Sequence, residues 1–318
     1  MQGAPPKAAP FPARETRGAA HGSAGTGHAP IARGQLARRG SIRRAAGLVP
    51  FLSYLAVFLL VPSISVVSSA FETVGGGFTW SNISAALEGA YLVSFEKSLE
   101  LSAISAGVSA VLGTVVAVAL ASTTNATVRR MVTSASAVFA NTGGLPLAFA
   151  FIASLGNFGI VTKLLAAMGW SPYDHGFSIY TLTGLVVVYC YFLVPLMVLV
   201  MLPAVEGLRQ EWFEVASLLG ARRRDVWRHV GVPVLSPAFL AALMVLFADA
   251  FAAYATAEAL TNGAIPLVPI QIGTLIQGNV LAGQQNVGDA LGLGMIVVVA
   301  VAALLYARLQ RKVARWQR

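Results

Sequence analysis

Six mostly apolar runs, each about 20 to 25 residues long, divide this sequence and limit what it can fold into. They are roughly Leu48–Phe71, Ser98–Ser122, Met131–Leu155, Ile179–Leu202, Ala238–Leu260 and Val287–Leu309. At about 1.5 Å per residue, each exceeds the roughly 30 Å hydrocarbon core of a bilayer. Lipid offers the backbone no hydrogen-bond partners, so such runs are expected to be helices. The expected fold is therefore all-α and integral to a membrane, with six transmembrane helices. Composition agrees: 11% of residues are charged, against about 25% in soluble domains. The one cysteine, Cys190, lies inside an apolar run and can form neither an internal disulfide nor a metal cluster.

The net charge of +9 could point to nucleic acid, so the location of the cations decides its meaning. Eight lie in residues 1–46, two at Arg129–Arg130, five between Arg209 and Arg228, and five from Arg308 to Arg318. If the N-terminus is cytoplasmic, these 20 of the 22 Lys and Arg fall on the inner side, and only Lys97 and Lys163 do not. That is the positive-inside pattern. It makes the charge a topology signal and removes the reason to expect nucleic acid as a partner. Residues 1–46, rich in Pro, Gly, Ala and Arg, read as a disordered basic cytoplasmic tail. A cleaved signal peptide is disfavoured, because the basic region is too long and the following run can span a bilayer. Residues 47–310 read as the membrane domain and 311–318 as a basic cytoplasmic end. The expected location is a membrane, with both termini in the cytoplasm.

Between the fourth and fifth runs lies a charged, amphipathic loop, residues 203–237. Glu214, Ala216, Gly220, Val230, Val232 and Pro233 fall at the spacing E-x-A-x3-G-x9-[IV]-x-[LV]-P. Leu208, Trp212, Val215, Ala216 and Leu219 recur at steps of three and four, on one helical face. Gly220 either stops that helix or lets another surface approach closely. A second short helical piece, Arg222 to Val230, carries Arg222, Arg223, Arg224 and Arg228, and Pro233 opens the next run. The plain alternative is an ordinary amphipathic helix between two spans.

This pattern resembles the EAA loop of ABC-importer permeases of the MetI-like type, the membrane subunits of binding-protein-dependent transport systems. Val215 departs from the pattern where the first of two alanines is usual, and Val230 and Val232 stand where Ile and Leu are usual; both changes keep the shape. The resemblance implies that Glu214, Ala216, Gly220, Ala221, Arg222 and Arg223 belong to a coupling helix that docks on a separate ATP-hydrolysing subunit. It further implies a second permease subunit, identical or homologous, and an extracytoplasmic solute-binding protein. The chain itself would bind no cofactor and would not be an enzyme; ATP would be hydrolysed by the partner. The branch it looks most like serves polyamines, ferric iron and 2-aminoethylphosphonate. A polyamine or an aminophosphonate is thus the expected kind of solute, although in such systems the binding protein supplies most selectivity. The cations of the loop are equally suited to anionic headgroups.

Polar residues within the runs are the candidates for the solute pathway. Asn141-Thr142-Gly143-Gly144-Leu145-Pro146 sits in the middle of the third run, where two glycines and a proline are expected to kink a helix. Asn141, Gly143 and Pro146 either line the route or serve packing. Asp249 lies near the centre of the fifth run, where a carboxylate costs about 2.5 to 3.5 kcal/mol on insertion scales. It should face the protein interior or an aqueous cavity, either lining the route or bonding between helices. Glu258, nine residues on and about 13 Å further along a continuous helix, would lie nearer the outer surface, with Tyr254 and Thr256 as polar neighbours. In the third outer segment, Thr261 to Asn286, Ile270, Ile272, Leu275 and Ile276 predict a short apolar helix unable to span. The small residues Ser102, Ala103, Ser105, Ala106, Gly107 and Ser109 predict close helix packing in the second run.

The sequence holds no G-x4-G-K-[ST] phosphate loop, no H-E-x-x-H, no G-x-S-x-G and no Cys/His cluster, and its four histidines are scattered. The rival reading is a secondary transporter driven by an ion gradient, with Asp249 and Glu258 as its ion site. It leaves the loop at 203–237 unexplained.

Overall fold

The computed structural model describes residues 48–73, 75–277 and 284–316. The basic tail expected at 1–46 lies outside them, as do residues 317 and 318. Apart from one antiparallel bridge between Glu72 and Phe78, the described residues form helices and turns. The chain divides at Phe58. In the first unit, α1 (Val49–Leu55) starts with Pro50 in its first turn, where a missing N–H costs nothing. Its tyrosine ring contacts a phenylalanine one turn on: Tyr54 and Phe58 have centroids 4.5 Å apart.

The second unit contains α2 (Val61–Ala70), α3 (Ser81–Ala86), α4 (Gly89–Ala121), α5 (Ala126–Ala140), α6 (Leu145–Leu155) and α7 (Ile160–Ala167). These are followed by α8 (Leu182–Glu206), α9 (Gln210–Leu218), α10 (Arg223–Val226), α11 (Val232–Ala252), α12 (Ala255–Thr261), α13 (Val268–Ile276) and α14 (Gln285–Trp316). A π-helical turn, Trp227–Gly231, joins α10 to α11. Six segments are long and apolar enough to cross a bilayer: Val49–Ala70, Gly89–Ala121, Leu145–Ala167, Leu182–Glu206, Arg224–Ala252 and Gln285–Arg308.

Three expected spans need correction. The second begins at Gly89, nine residues before Ser98, and so takes in part of what was read as an outer loop. The third is not one kinked helix over Met131–Leu155. It is two helices, α5 and α6, separated at Asn141–Gly144, and the apolar stretch runs on through α7 to Ala167. The fifth is also interrupted, at Ala253–Tyr254, so Glu258 stands on α12 and the expected continuous-helix spacing from Asp249 does not hold.

The core is centred on α8, whose Leu185, Val188, Tyr189, Leu193, Met197 and Met201 are fully buried. Helices α4, α5 and α11 pack around it. The α4–α8 contact is as close as small residues permit. A Cβ at Gly113 would lie 2.5 Å from Cβ of Met197 and 2.8 Å from the carbonyl of Val194, so only glycine fits there. Ser94, Ser98, Ser102, Ser105 and Ser109 form a buried stripe along α4. Most return their hydroxyls to carbonyls one turn back, as Ser102 does to Ser98 at 2.6 Å, which makes a polar side chain compatible with a dry interface. Ser98 Oγ also accepts from the backbone N–H of Val268 at 2.9 Å, fastening the start of α13 to α4. Helix α13 is the expected short apolar helix, with Val268, Ile270 and Leu275 buried against the bundle and Ile276 exposed.

Candidate functional site

Two groups of candidate residues lie at opposite ends of α11, which at 21 residues is about 31 Å long.

At its N-terminal end is the loop that carries the Glu214-Ala216-Gly220 spacing. Helix α9 closes on a Schellman arrangement: Gly220 N–H donates to the carbonyl of Ser217 and Ala221 N–H to that of Ala216, both at 3.0 Å. Gly220 has φ +77°, and a side chain there would meet nothing within 4 Å. Within this chain the glycine therefore serves the backbone turn that ends α9. The apolar face of α9 is turned away from the bundle. Val215 is 55% exposed, Leu218 87% and Leu219 81%, with Trp212 beside them. Glu214, Ala221 and Arg222 are exposed as well, while Ala216 is partly covered. Arg223 opens α10.

Beneath this face, Phe213, Ser217, Ala221 and Val226 line a cavity of about 350 Å³. The ring of Phe213 lies 5.8 Å from that of Trp227. Trp227 in turn packs against Gly231, where a Cβ would come within 2.6 Å of the indole. This Phe213–Trp227–Gly231 contact ties α9 to the root of α11. Sequence reasoning did not single out any of the three; a bulky aromatic one turn before a glycine was the available signal. At the other end of the loop, Arg129 on α5 forms an ion pair with Glu206, the last residue of α8.

At the C-terminal end of α11 the two helix breaks meet. Helix α5 ends with Asn141 Nδ2 donating to the carbonyl of Ala137 (2.8 Å) and Thr142 Oγ1 to that of Val138 (2.7 Å). Gly144 then takes φ 76°, ψ −151°, a conformation open essentially to glycine alone, and Pro146 sits in the first turn of α6. The backbone N–H of Gly144 donates to Thr256 Oγ1 at 2.8 Å, on the first turn of α12. Across the second break, Tyr189 Oη donates to the freed carbonyl of Ala253 at 2.9 Å. Each break thus has its loosened backbone satisfied by a side chain from another helix, as burial requires.

The predicted pathway residues divide between exposed and enclosed positions. Asn141, Gly143, Pro146 and Asp249 are exposed. Glu258 is half-buried, and its Oε2 is enclosed without a hydrogen-bond partner among the described residues. Thr256, expected as a neighbour of Asp249 and Glu258, holds Gly144 instead. Tyr254 packs on Gly273 of α13, where a Cβ would lie 3.0 Å from its hydroxyl. Among the described residues no group of three or more His, Cys, Asp or Glu could hold a metal ion.

Residues 109–318 match the family model described as binding-protein-dependent transport system inner membrane component. Over 156 residues the chain is 23% identical to the trehalose/maltose transport system permease protein MalF of Thermococcus litoralis, a match covering 49% of this chain. The chain spans about half the length of that curated relative, 53%. Two crystal structures share the fold. One is of a bacterial ABC transporter involved in the import of the acidic polysaccharide alginate (TM-score 0.67, 16% identity, 89% of this chain and 99% of that one). The other is of a bacterial alginate ABC transporter in complex with a periplasmic protein bound to an alginate pentasaccharide (TM-score 0.68, 15% identity, 89% and 98%).

Proposed function

Since the chain belongs to the family of inner-membrane components of binding-protein-dependent transport systems, we propose that it is the permease subunit of an ATP-driven importer. It forms the solute pathway together with a second permease, identical or homologous. A separate ATPase docks on α9 from the cytoplasm, where the basic segments also lie. An extracytoplasmic binding protein delivers the solute at the opposite face.

The observation that carries this reading is the exposed apolar face of α9, ended by Gly220 and tied to α11 through Phe213, Trp227 and Gly231. A contiguous apolar face on a charged loop outside the spans is suited to a protein partner. The contact beneath it gives that partner a grip on a membrane helix. Glu214, Ala216, Gly220, Ala221, Arg222 and Arg223 are the residues of contact and positioning. Asn141, Gly143, Pro146, Asp249 and Glu258 belong to the pathway.

The solute is a small polar molecule. The sequence resemblance favours a polyamine or an aminophosphonate, whereas the named relatives handle trehalose, maltose and alginate; at 15–23% identity those relatives support the fold rather than the cargo. No observation favours the ion-gradient reading, which would leave the α9 face without a use.

The test is uptake into cells or proteoliposomes holding the whole complex. Uptake that stops when the ATPase is inactivated supports the reading. Uptake that survives this but stops with an uncoupler sinks it.

A further inference from the structure

Asp249 is exposed on the surface of this subunit, although eleven mostly apolar residues of the fifth run lie on either side of it. Its neighbours one turn away share that exposure: Val245 is 39% exposed and Ala252 is exposed too, so positions 245, 249 and 252 form one open face. One turn further toward the loop Ala241 is buried, which separates this open face, next to the break at Ala253–Tyr254, from the exposed Val234 near the start of α11. A carboxylate turned to hydrocarbon costs several kcal/mol, and such residues face water or a protein cavity.

The charges around it are one-sided. From His229 to Ala307 the sequence contains no Lys or Arg. On the packed helix α4, Lys97 is paired with Glu100 at 2.8 Å. The neighbouring break at Asn141–Gly144 adds an exposed amide, while Glu258 on α12 is half-buried with its Oε2 enclosed, which leaves Asp249 as the exposed carboxylate of this face.

We propose that the Val245–Asp249–Ala252 face lines a water-filled route, and that Asp249 makes this route favour solutes bearing an ammonium or other cationic group over anionic ones. The choice of solute rests on the importer reading; the wet, anionic face does not, so the two can fail separately. A low-dielectric wall around a single carboxylate concentrates cations locally by about tenfold or more.

The lone cysteine makes the test direct. In a Cys190→Ser background, which keeps the polar contact to Ser109 Oγ, Val245→Cys and Ala252→Cys are made separately and assembled with the partner subunits in membranes. Each is labelled with two membrane-impermeant methanethiosulfonates, one carrying a trimethylammonium and one a sulfonate. The expected result is labelling at both positions, about tenfold faster with the cation, a preference that falls to within about twofold when Asp249→Asn is added. Equal rates for the two reagents overturn the proposal. So does the absence of labelling at both cysteines in a complex that still transports, and so does a cation preference that Asp249→Asn leaves intact. Transport that proves independent of any ATPase, with the labelling pattern as expected, would remove the importer reading and leave the anionic face standing.

Discussion

The hydroxyl of Tyr189 on α8 donates to the carbonyl of Ala253, 2.9 Å away, at the point where the fifth span breaks. Tyr189 is fully buried, and removing its hydroxyl leaves that carbonyl without its side-chain partner. Tyr189→Phe should destabilise the protein by about 1 to 3 kcal/mol, the cost of a buried polar group left unpaired. Thermal unfolding in detergent should fall by a few degrees, and an unchanged midpoint would show that water takes over the bond.

The companion bond runs from Gly144 N–H to Thr256 Oγ1. Thr256→Val keeps the shape and removes the acceptor, leaving the peptide N–H of the third-span break unpaired. Loss of transport with a normal amount of subunit in the membrane is the expected outcome. Thr256→Ser should restore transport, since it returns the oxygen without the methyl group.

Gly220 tests the proposed coupling role of the loop. Its positive φ costs an L-residue about 1 to 2 kcal/mol, while the space around it is open. Gly220→Asn should therefore be tolerated far better than Gly220→Val, because asparagine enters the left-handed region most readily after glycine. If the two lower ATP-dependent uptake equally, the backbone turn is not what matters at this position.

Leu218 and Leu219 stand out from α9 toward solvent. Replacing both with aspartate should weaken capture of the ATPase by at least about tenfold, the scale of a lost interface anchor. It should leave membrane insertion and thermal stability unchanged, because neither side chain packs within the subunit. Undiminished ATPase binding in a pull-down would move the docking surface elsewhere.

Trp227→Ala probes the connection below that surface. The indole fills the space over Gly231 and meets Phe213, so its loss frees α9 from α11. The expected signature is an ATPase that still binds and still hydrolyses but no longer drives solute across. Retained uptake would show that α9 acts on the spans by another contact.

Much of this architecture was legible in the residues. Gly220 announced the end of α9 because three- and four-residue periodicity stopped there, and the isoleucines and leucine of 270–276 announced α13. The break at Ala253–Tyr254 was not legible. Phe251-Ala252-Ala253-Tyr254-Ala255-Thr256 contains neither glycine nor proline, and every residue in it is compatible with a helix. What opens that helix is distant in sequence: Tyr189 capturing a carbonyl and Thr256 capturing Gly144. The break at Asn141–Gly144 was visible as a weak point but read as a kink. Side-chain bonds from Asn141 and Thr142 back to α5 end that helix outright. At the candidate site, the sequence put Asp249 near the centre of the fifth span, whereas it lies in the last turn of α11; nor could the sequence say which way it faced, since that depends on what packs around α11.

The contact at Gly113 has a mechanical corollary. With no side chain between them, α4 and α8 lie backbone to side chain, and Met197 keys into the notch. Sliding one helix past the other would drive Met197 out of this notch and against the neighbouring backbone, so the pair is expected to tilt together, as a single strut.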